Sequence, residues 1–504
     1  MGSINNTNTA AFSLYYLLHG CLVLLPGLAT SQVMMDVLRV TPAEMSFVAS
    51  LMWLPWAFKP LVGYVSDHFP VFGYRRLPYL IAGIVINAAL WFAIWTSLPL
   101  FSHANRVVFY SMLFACYTAF VLSETIVDAL IAEKAQQETA QDSGRLQSGI
   151  WTMDAAGSVL STIAVTLAFS DSSTGTSATR ASAKVFFACG LLTALFIIAI
   201  PWIHDAHIAS IHTASTRTAE TSHTRQDEEH HDLLSSQSAA TVPLNPADAQ
   251  EEKEEEEEEE ERILPTLSSV LSDSRLVKCL VFVLVVSSSP TSGDAMFYFQ
   301  RDTLHFSLEF IAWTSVVRTL LNFLSSFSYY KWWRKVEYYV VFRNAVLMRF
   351  IVGVVNVLVV ERWNVHLGIP DHVFIFGDTV AQGIAGEIIF LPVAVLAAKL
   401  APKGLEGTVY ATTMSVLNVS WMLSSFYSGI ISSAFGVREG HYERLTSLIV
   451  VTNLISLLPL FFLRWVPSIN AATLDDGEYS FERIHDTQAC DKERSNKEST
   501  ETKK

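Results

Sequence analysis

Twelve stretches of about 20 or more mostly apolar residues recur along this chain, the length a helix needs to cross a hydrocarbon core of about 30 Å. Six precede residue 204, at 11–35, 43–66, 77–99, 106–133, 147–170 and 183–203. Six follow residue 274, at 275–300, 308–330, 338–360, 371–398, 406–435 and 445–466, some of them only when a few polar residues are admitted. Within lipid the backbone N–H and C=O groups must be satisfied by helices or a closed barrel, and runs of this length without strict alternation select helices. The expected fold is therefore all-α and integral to the membrane, with twelve transmembrane helices in two six-helix halves. Composition agrees. Charged residues are 16% of the chain against about 25% in soluble domains, apolar residues are 51%, and mean hydropathy is +0.34. A soluble multidomain protein is excluded.

Between His204 and Arg262 stand 17 acidic and 4 basic residues, so nearly all of the formal net charge of −14 sits in one segment. The rest is close to neutral, which excludes a basic nucleic-acid-binding surface. The acidic run Glu254–Glu261 repels itself and cannot bury enough apolar surface to fold. The expected organisation is an N-terminal half over 1–203, a disordered acidic cytosolic linker over 204–274, a C-terminal half over 275–466 and a charged cytosolic tail over 467–504. Six histidines lie in the linker (His204, His207, His212, His223, His230, His231). They are read as part of a solvated tether, with metal or proton sensing as the alternative. Basic clusters at Arg75-Arg76 and Lys331–Lys335 follow even-numbered stretches, which puts both termini in the cytosol. No basic leader precedes the first stretch, so the plasma membrane is the expected location. The cysteines form no CxxC pair, and no metal or cofactor is expected.

The chain has no dinucleotide fingerprint, P-loop, HExxH or GxSxG motif. The chemistry therefore rests on polar residues inside apolar stretches, where a central charge costs about 2.5–3.5 kcal/mol and marks a pathway or a buried pair. Lys59 lies between Pro55 and Pro60, which predicts an irregular helix facing protein or a wet cavity. Lys59 either meets an anionic substrate there or pairs with a carboxylate for packing. Glu124 and Asp128 are spaced i,i+4 on one helix face. Their repulsion raises the proton affinity of one of them, as a proton-coupled carrier requires, unless they pair with Lys59 or Arg318. Asp154, Asp294, Asp378 and Glu387 are further intramembrane acids, some of them structural. Arg318, in mid-stretch, is a candidate for holding a carboxylate through its planar fork. Arg343 and Arg349 lie nearer a stretch end and are read as snorkelling. The rings of Trp53, Trp56, Trp151, Phe297, Tyr298, Phe299 and Trp313 suit flat heteroaromatic solutes or a membrane-interface belt.

Six stretches, a long linker and six more resemble the major facilitator superfamily. Gly63-Tyr64-Val65-Ser66-Asp67 followed by Gly73-Tyr74-Arg75-Arg76 is similar to that superfamily's gating motif, with the second glycine about three residues late. The resemblance implies that Asp67 caps or pairs at the cytosolic face, with Arg75 and Arg76 as partners. The lengthened form resembles the folate–biopterin transporter family. Residues 53–79, WLPWAFKPLVGYVSDHFPVFGYRRLPY, look like its hallmark stretch, and 123–151, 290–310, 362–378 and 391–418 look like later family segments in order. Glu124 stands where the family pattern has aspartate.

The resemblance implies a monomeric, alternating-access secondary transporter of folate or pterins such as biopterin, coupled to protons and not an enzyme. Lys59, Glu124, Asp128, Asp154, Asp294, Arg318 and Glu387 are expected on or beside its substrate and proton pathway, and Gly63, Asp67, Gly73, Arg75 and Arg76 at its gate. A carrier of another solute in the same fold, S-adenosylmethionine first among them, and a non-transporting receptor are the alternatives.

Overall fold

The computed structural model describes residues 2–135, 145–170, 175–203, 274–332, 336–384 and 406–466. The linker, the tail, Glu387 and the side chain of Asp67 lie outside the described residues. Every regular element described is helical, and the isolated bridges Val71–Tyr74 and Arg438–His441 are the two exceptions among the described residues. In the first half the helices are α1 (Gly2–Gln32), α2 (Pro42–Ala57), α3 (Lys59–His68), α4 (Leu77–Ser97), α5 (Arg106–Ala135), α6 (Arg145–Phe169) and α7 (Gly175–Leu195). The second half has α8 (Ser274–Ser287), α9 (Gly293–Asp302), α10 (Leu308–Trp332), α11 (Tyr338–Val360), α12 (371–384), α13 (Glu406–Phe435) and α14 (Leu445–Ile455). Among the described residues eight helices are long and apolar enough to cross a membrane, six of them before the linker and the others at Tyr338–Val360 and Leu445–Trp465. The chain is a multi-pass membrane protein.

Three apolar stretches are broken beside a proline among the described residues. Pro60 has no N–H to give the carbonyl four residues back. The second stretch accordingly parts at Phe58, whose N–H bonds Pro55 O at 3.0 Å, and Lys59 opens α3. The seventh stretch, expected to run unbroken over 275–300, instead opens at 288–292 around Pro290. Its freed backbone groups are taken up by neighbours, as membrane packing demands. Thr291 N donates to Ser428 Oγ at 2.8 Å, and Ser289 O accepts from Ser424 Oγ at 2.7 Å and from Arg349 Nη2 at 3.3 Å. Arg349 therefore points into the bundle and does not snorkel. The last stretch gives way beyond Ile455 to short turns at Pro459–Phe462 and Leu463–Trp465.

Apolar burial exerts little drive between helices in lipid, so close backbone approach decides which helices pack. The tightest crossing joins α1 to α6. A Cβ on Gly20 would overlap the carbonyl of Asp154, and one on Gly157 would overlap the carbonyl of Leu17. Cys21 Sγ and Ser158 Oγ then donate across the contact to Gly157 O and Gly20 O, each at 3.3 Å. This crossing brings His19 beside Asp154.

The halves meet at the face bearing the loops at 38–41 and 303–307. A π-helical turn, Val33–Val37, ends α1 and carries Asp36 to within 3.0 Å of Arg301. Tyr298 Oη donates to Val40 O at 2.6 Å, and Ser46 Oγ donates to Asp294 at 2.5 Å. Deeper in, Phe47 packs on Phe426 and Trp53 on Trp421, with centroids 5.7 and 5.0 Å apart. One apolar core runs through this contact, from Met45 and Met52 of the first half to Tyr298, Leu308 and Ala312 of the second. Away from this contact, Phe58 and, on α3, Leu61 and Tyr64 are exposed, and a Cβ on Gly63 would meet nothing within 4 Å among the described residues.

Candidate substrate and proton site

Lys59, Glu124 and Asp128 converge. The break at Phe58 aims the Lys59 ammonium at the carboxylate face of α5, where Nζ lies 2.6 Å from Glu124 Oε1 and 3.0 Å from Asp128 Oδ2. One cation thus serves the two acids that the i,i+4 spacing stacks together. Trp56, one helical turn before Lys59, donates from its indole to the other Glu124 oxygen at 2.9 Å. Tyr16 of α1 donates to the remaining oxygen of Asp128. The Glu124 side chain is 11% exposed and that of Asp128 is 42% exposed, so the pair presents one sheltered and one accessible carboxylate.

Asp154 joins the cluster through His19. Nδ1 of His19 lies 2.7 Å from Asp154 Oδ1, and its Nε2 lies 3.6 Å from Glu124 Oε1. The ring stacks on Phe120 at 4.9 Å, and Phe120 in turn meets Trp56 at 6.1 Å. Trp53 and Trp56, both half-buried, offer a ring surface beside the charges on which a flat heterocycle can stack, with the buried Phe120 packed against Trp56 and His19 packed against Phe120. His19 and Trp56 as a carboxylate ligand were missed in the sequence. A histidine in the apolar run 11–35, four residues after Tyr15, was the available signal.

The remaining expected residues are placed elsewhere. Asp294 lies in the first turn of α9, where a helix N-terminus favours negative charge, and accepts from Ser46 across the halves. It belongs to the contact between the halves, not to the Lys59 cluster. Arg318 is not brought to Glu124 or Asp128, because Lys59 occupies both. Its side chain is exposed on α10, and its backbone and side chain approach Gly383 of α12. Asp378 is buried and accepts from two neutral amides, Gln382 Nε2 at 2.6 Å and Asn356 Nδ2 at 3.3 Å, a structural arrangement.

At the gate motif, Gly63 and Asp67 sit on α3. The late second glycine has a local cause. Phe72 and Gly73 both adopt positive φ, 54° and 81°, and Val71 and Tyr74 exchange backbone bonds at 3.0 and 3.1 Å. This is the primed two-residue turn, which needs a residue such as glycine at a left-handed position. Beyond the turn, the chain buries Arg76 and leaves Arg75 half-buried.

Comparison with known proteins agrees with this architecture. The family model described as the BT1 family matches residues 19–484. A protein of Synechocystis sp. named folate-biopterin transporter is 27% identical over 480 residues, covering 95% of this chain and 85% of that protein. A protein of Plasmodium falciparum named folate transporter 1 is 22% identical, covering 92% of this chain and 80% of its own length. The crystal structure of a D-xylose–proton symporter superposes with a TM-score of 0.60 at 14% identity, covering 92% of this chain and 98% of that one. That likeness shows an all-α, multi-spanning fold that resembles transporters of the major-facilitator type. The chain belongs to the BT1 family, the family of folate–biopterin transporters.

Proposed function

We propose that this chain is a secondary active transporter that carries folate or pterins such as biopterin by alternating access, in symport with protons. The reading takes the twelve stretches as twelve transmembrane helices in two halves, 1–203 and 275–466, joined by a cytosolic linker over 204–274 and followed by a tail over 467–504. It takes the protein as a monomer in the plasma membrane.

The observation that carries the reading is the Lys59 ammonium shared between Glu124 and Asp128 beside a strip of aromatic rings. A pterin ring offers a flat face for Trp53 and Trp56, and N–H donors for an accessible carboxylate such as Asp128. The names of the Synechocystis and Plasmodium relatives support the same substrate class. Lys59 and His19 already face the three carboxylates Glu124, Asp128 and Asp154. Three carboxylates against at most two cations leave at least one negative charge, which a coupling proton or a donor-rich pterin ring can neutralise, and the relatives' names carry the choice of a pterin over an adenosyl sulfonium cation. Arg318 faces the same passage from the second half in this reading, Asp294 steadies the closed end, and Glu387 lies further along the stretch begun by α12. Gly63, Asp67, Gly73, Arg75 and Arg76 form the cytosolic gate. The contacts at the 38–41 and 303–307 loops support a conformation closed on that side.

The test is uptake of labelled folate, biopterin and S-adenosylmethionine by cells lacking their own carriers, at acidic and neutral external pH, with surface biotinylation to confirm placement. Saturable uptake of a pterin compound, faster in acid, is the expected result. Uptake of S-adenosylmethionine alone refutes the substrate assignment while leaving the carrier.

A further inference from the structure

His19 has a carboxylate at each ring nitrogen, and the two contacts differ. Nδ1 is closely bonded to Asp154 at 2.7 Å, whereas Nε2 stands 3.6 Å from Glu124 Oε1, buried and without a hydrogen-bond partner among the described residues. An approach of about 0.5 Å between the ring and α5 makes the second contact a hydrogen bond. Phe120 stacks flat against the ring at an interplanar angle of 21° and holds it in the plane of both acids. The glycine crossing of α1 and α6 fixes the Asp154 side. The charged and titratable groups around the ring are Tyr15 and Tyr16 on its own helix, Glu124 and Asp128 on α5, Asp154 on α6, and Lys59 behind Glu124.

We propose that His19 is the relay that passes the coupling proton between Asp154 and Glu124, an inference that rests on the proton-coupled reading of the site. In the transfer, a protonated Asp154 gives its proton to Nδ1 as the Nε2–H bond breaks toward Glu124 Oε1. Asp154 is left as carboxylate, Glu124 becomes the carboxylic acid, and the imidazole stays neutral as its Nδ1–H tautomer. When the transport cycle opens the site to water, loss of the Nδ1 proton to one water and gain of a proton at Nε2 from another restore the Nε2–H form. Imidazole suits this step because it accepts at one nitrogen while it donates at the other. Once Glu124 is neutral it no longer holds Lys59 as an ion pair, and the ammonium is left to Asp128. Arrival of the proton thereby loosens the tie between α5 and α3 next to the helix break at Phe58.

A static alternative has His19 as a fixed cation between two acids, and the two roles separate by substitution. His19→Arg keeps the cation but cannot relay; His19→Gln keeps a hydrogen-bonding group but neither charge nor relay. Each is purified, checked for a monodisperse peak and placed in proteoliposomes with labelled folate or biopterin. Accumulation driven by an imposed proton gradient and counterflow exchange without a gradient are both measured. The relay predicts that both variants bring the accumulation ratio down to unity and flatten its pH profile, while exchange continues at a measurable rate. Accumulation by H19R at the wild-type ratio overturns it in favour of the fixed cation, and accumulation by H19Q overturns both roles. Asp154→Asn, which can accept from Nδ1–H but cannot supply a proton, gives the same pattern independently if a His19 variant does not fold. Wild-type protein that exchanges substrate yet ignores the gradient overturns the relay and leaves the carrier standing. Wild-type protein that does neither overturns the reading on which both rest.

Discussion

Replacing Lys59 with methionine keeps the length of the side chain and removes the charge that Glu124 and Asp128 share. The two acids do not respond equally. Glu124 is sheltered, and removing the partner of a buried ion costs about 3–5 kcal/mol because an uncompensated charge stays behind. Asp128 is 42% exposed and can rehydrate, so its loss falls in the range of about 0–1 kcal/mol for exposed pairs. Glu124 keeps the Trp56 indole at 2.9 Å and His19 at 3.6 Å, which places the total at the lower end, about 3 kcal/mol. Unfolding in mixed micelles with rising detergent denaturant, followed by tryptophan fluorescence, reads the difference. In the double variant Lys59→Met, Glu124→Gln, most of the loss is recovered because no charge remains buried. Lys59→Met with Asp128→Asn recovers no more than about 1 kcal/mol. Equal rescue by the two carboxamides, or a K59M variant as stable as the wild type, refutes the assignment of Glu124 as the sheltered partner.

Three further outcomes follow from the same contacts. Trp56→Phe removes the indole N–H on Glu124, a hydrogen bond to a charged group worth about 1.5–3 kcal/mol; the loss disappears in a Glu124→Gln background, measured by the same unfolding assay. Gly157→Ala sets a methyl on the carbonyl of Leu17, and overpacking of this kind costs about 1–3 kcal/mol; the thermal midpoint in detergent drops, whereas the same change at Gly63, with open space around it, leaves it within error. Arg301→Asp places two acids together at the closed end and raises the labelling of single cysteines introduced at Phe47 or Trp53 by a membrane-impermeant reagent. Adding Asp36→Arg restores the pair and lowers labelling again, and failure of the swap to do so excludes the ion pair as the tie between the halves.

The sequence made the spans legible because hydropathy over twenty residues outweighs local detail: the stretches at 77–99, 106–133 and 338–360 nearly coincide with helices. The charged core of the site was legible for a similar reason, since Lys59 between prolines and the Glu124–Asp128 spacing are both local patterns. The chain break at 288–292 was not, although Pro290 marked it, because an apolar stretch looks continuous when satisfaction of its backbone depends on Ser424 and Ser428 more than a hundred residues away. His19 stood out only as a histidine in an apolar run, and its partner was hidden. Only the crossing of Gly20 with Gly157 brings Asp154 to it, and nothing in either local stretch announces that crossing. Arg318 illustrates the converse: a mid-stretch cation looks like a partner for any acid, but Lys59 reaches the acids first. The Asp36–Arg301 tie was equally hidden, since it depends on a π-turn that redirects the end of α1.

The central claim is that the Lys59 cluster couples solute movement to protons, and Asp128 is its accessible carboxylate. The most direct measurement compares wild type and Asp128→Asn in proteoliposomes, following accumulation of labelled folate or biopterin under an imposed inward proton gradient. The account predicts that wild type concentrates the solute and that the variant, present at equal amount and monodisperse, does not. Accumulation by D128N to the wild-type ratio contradicts it.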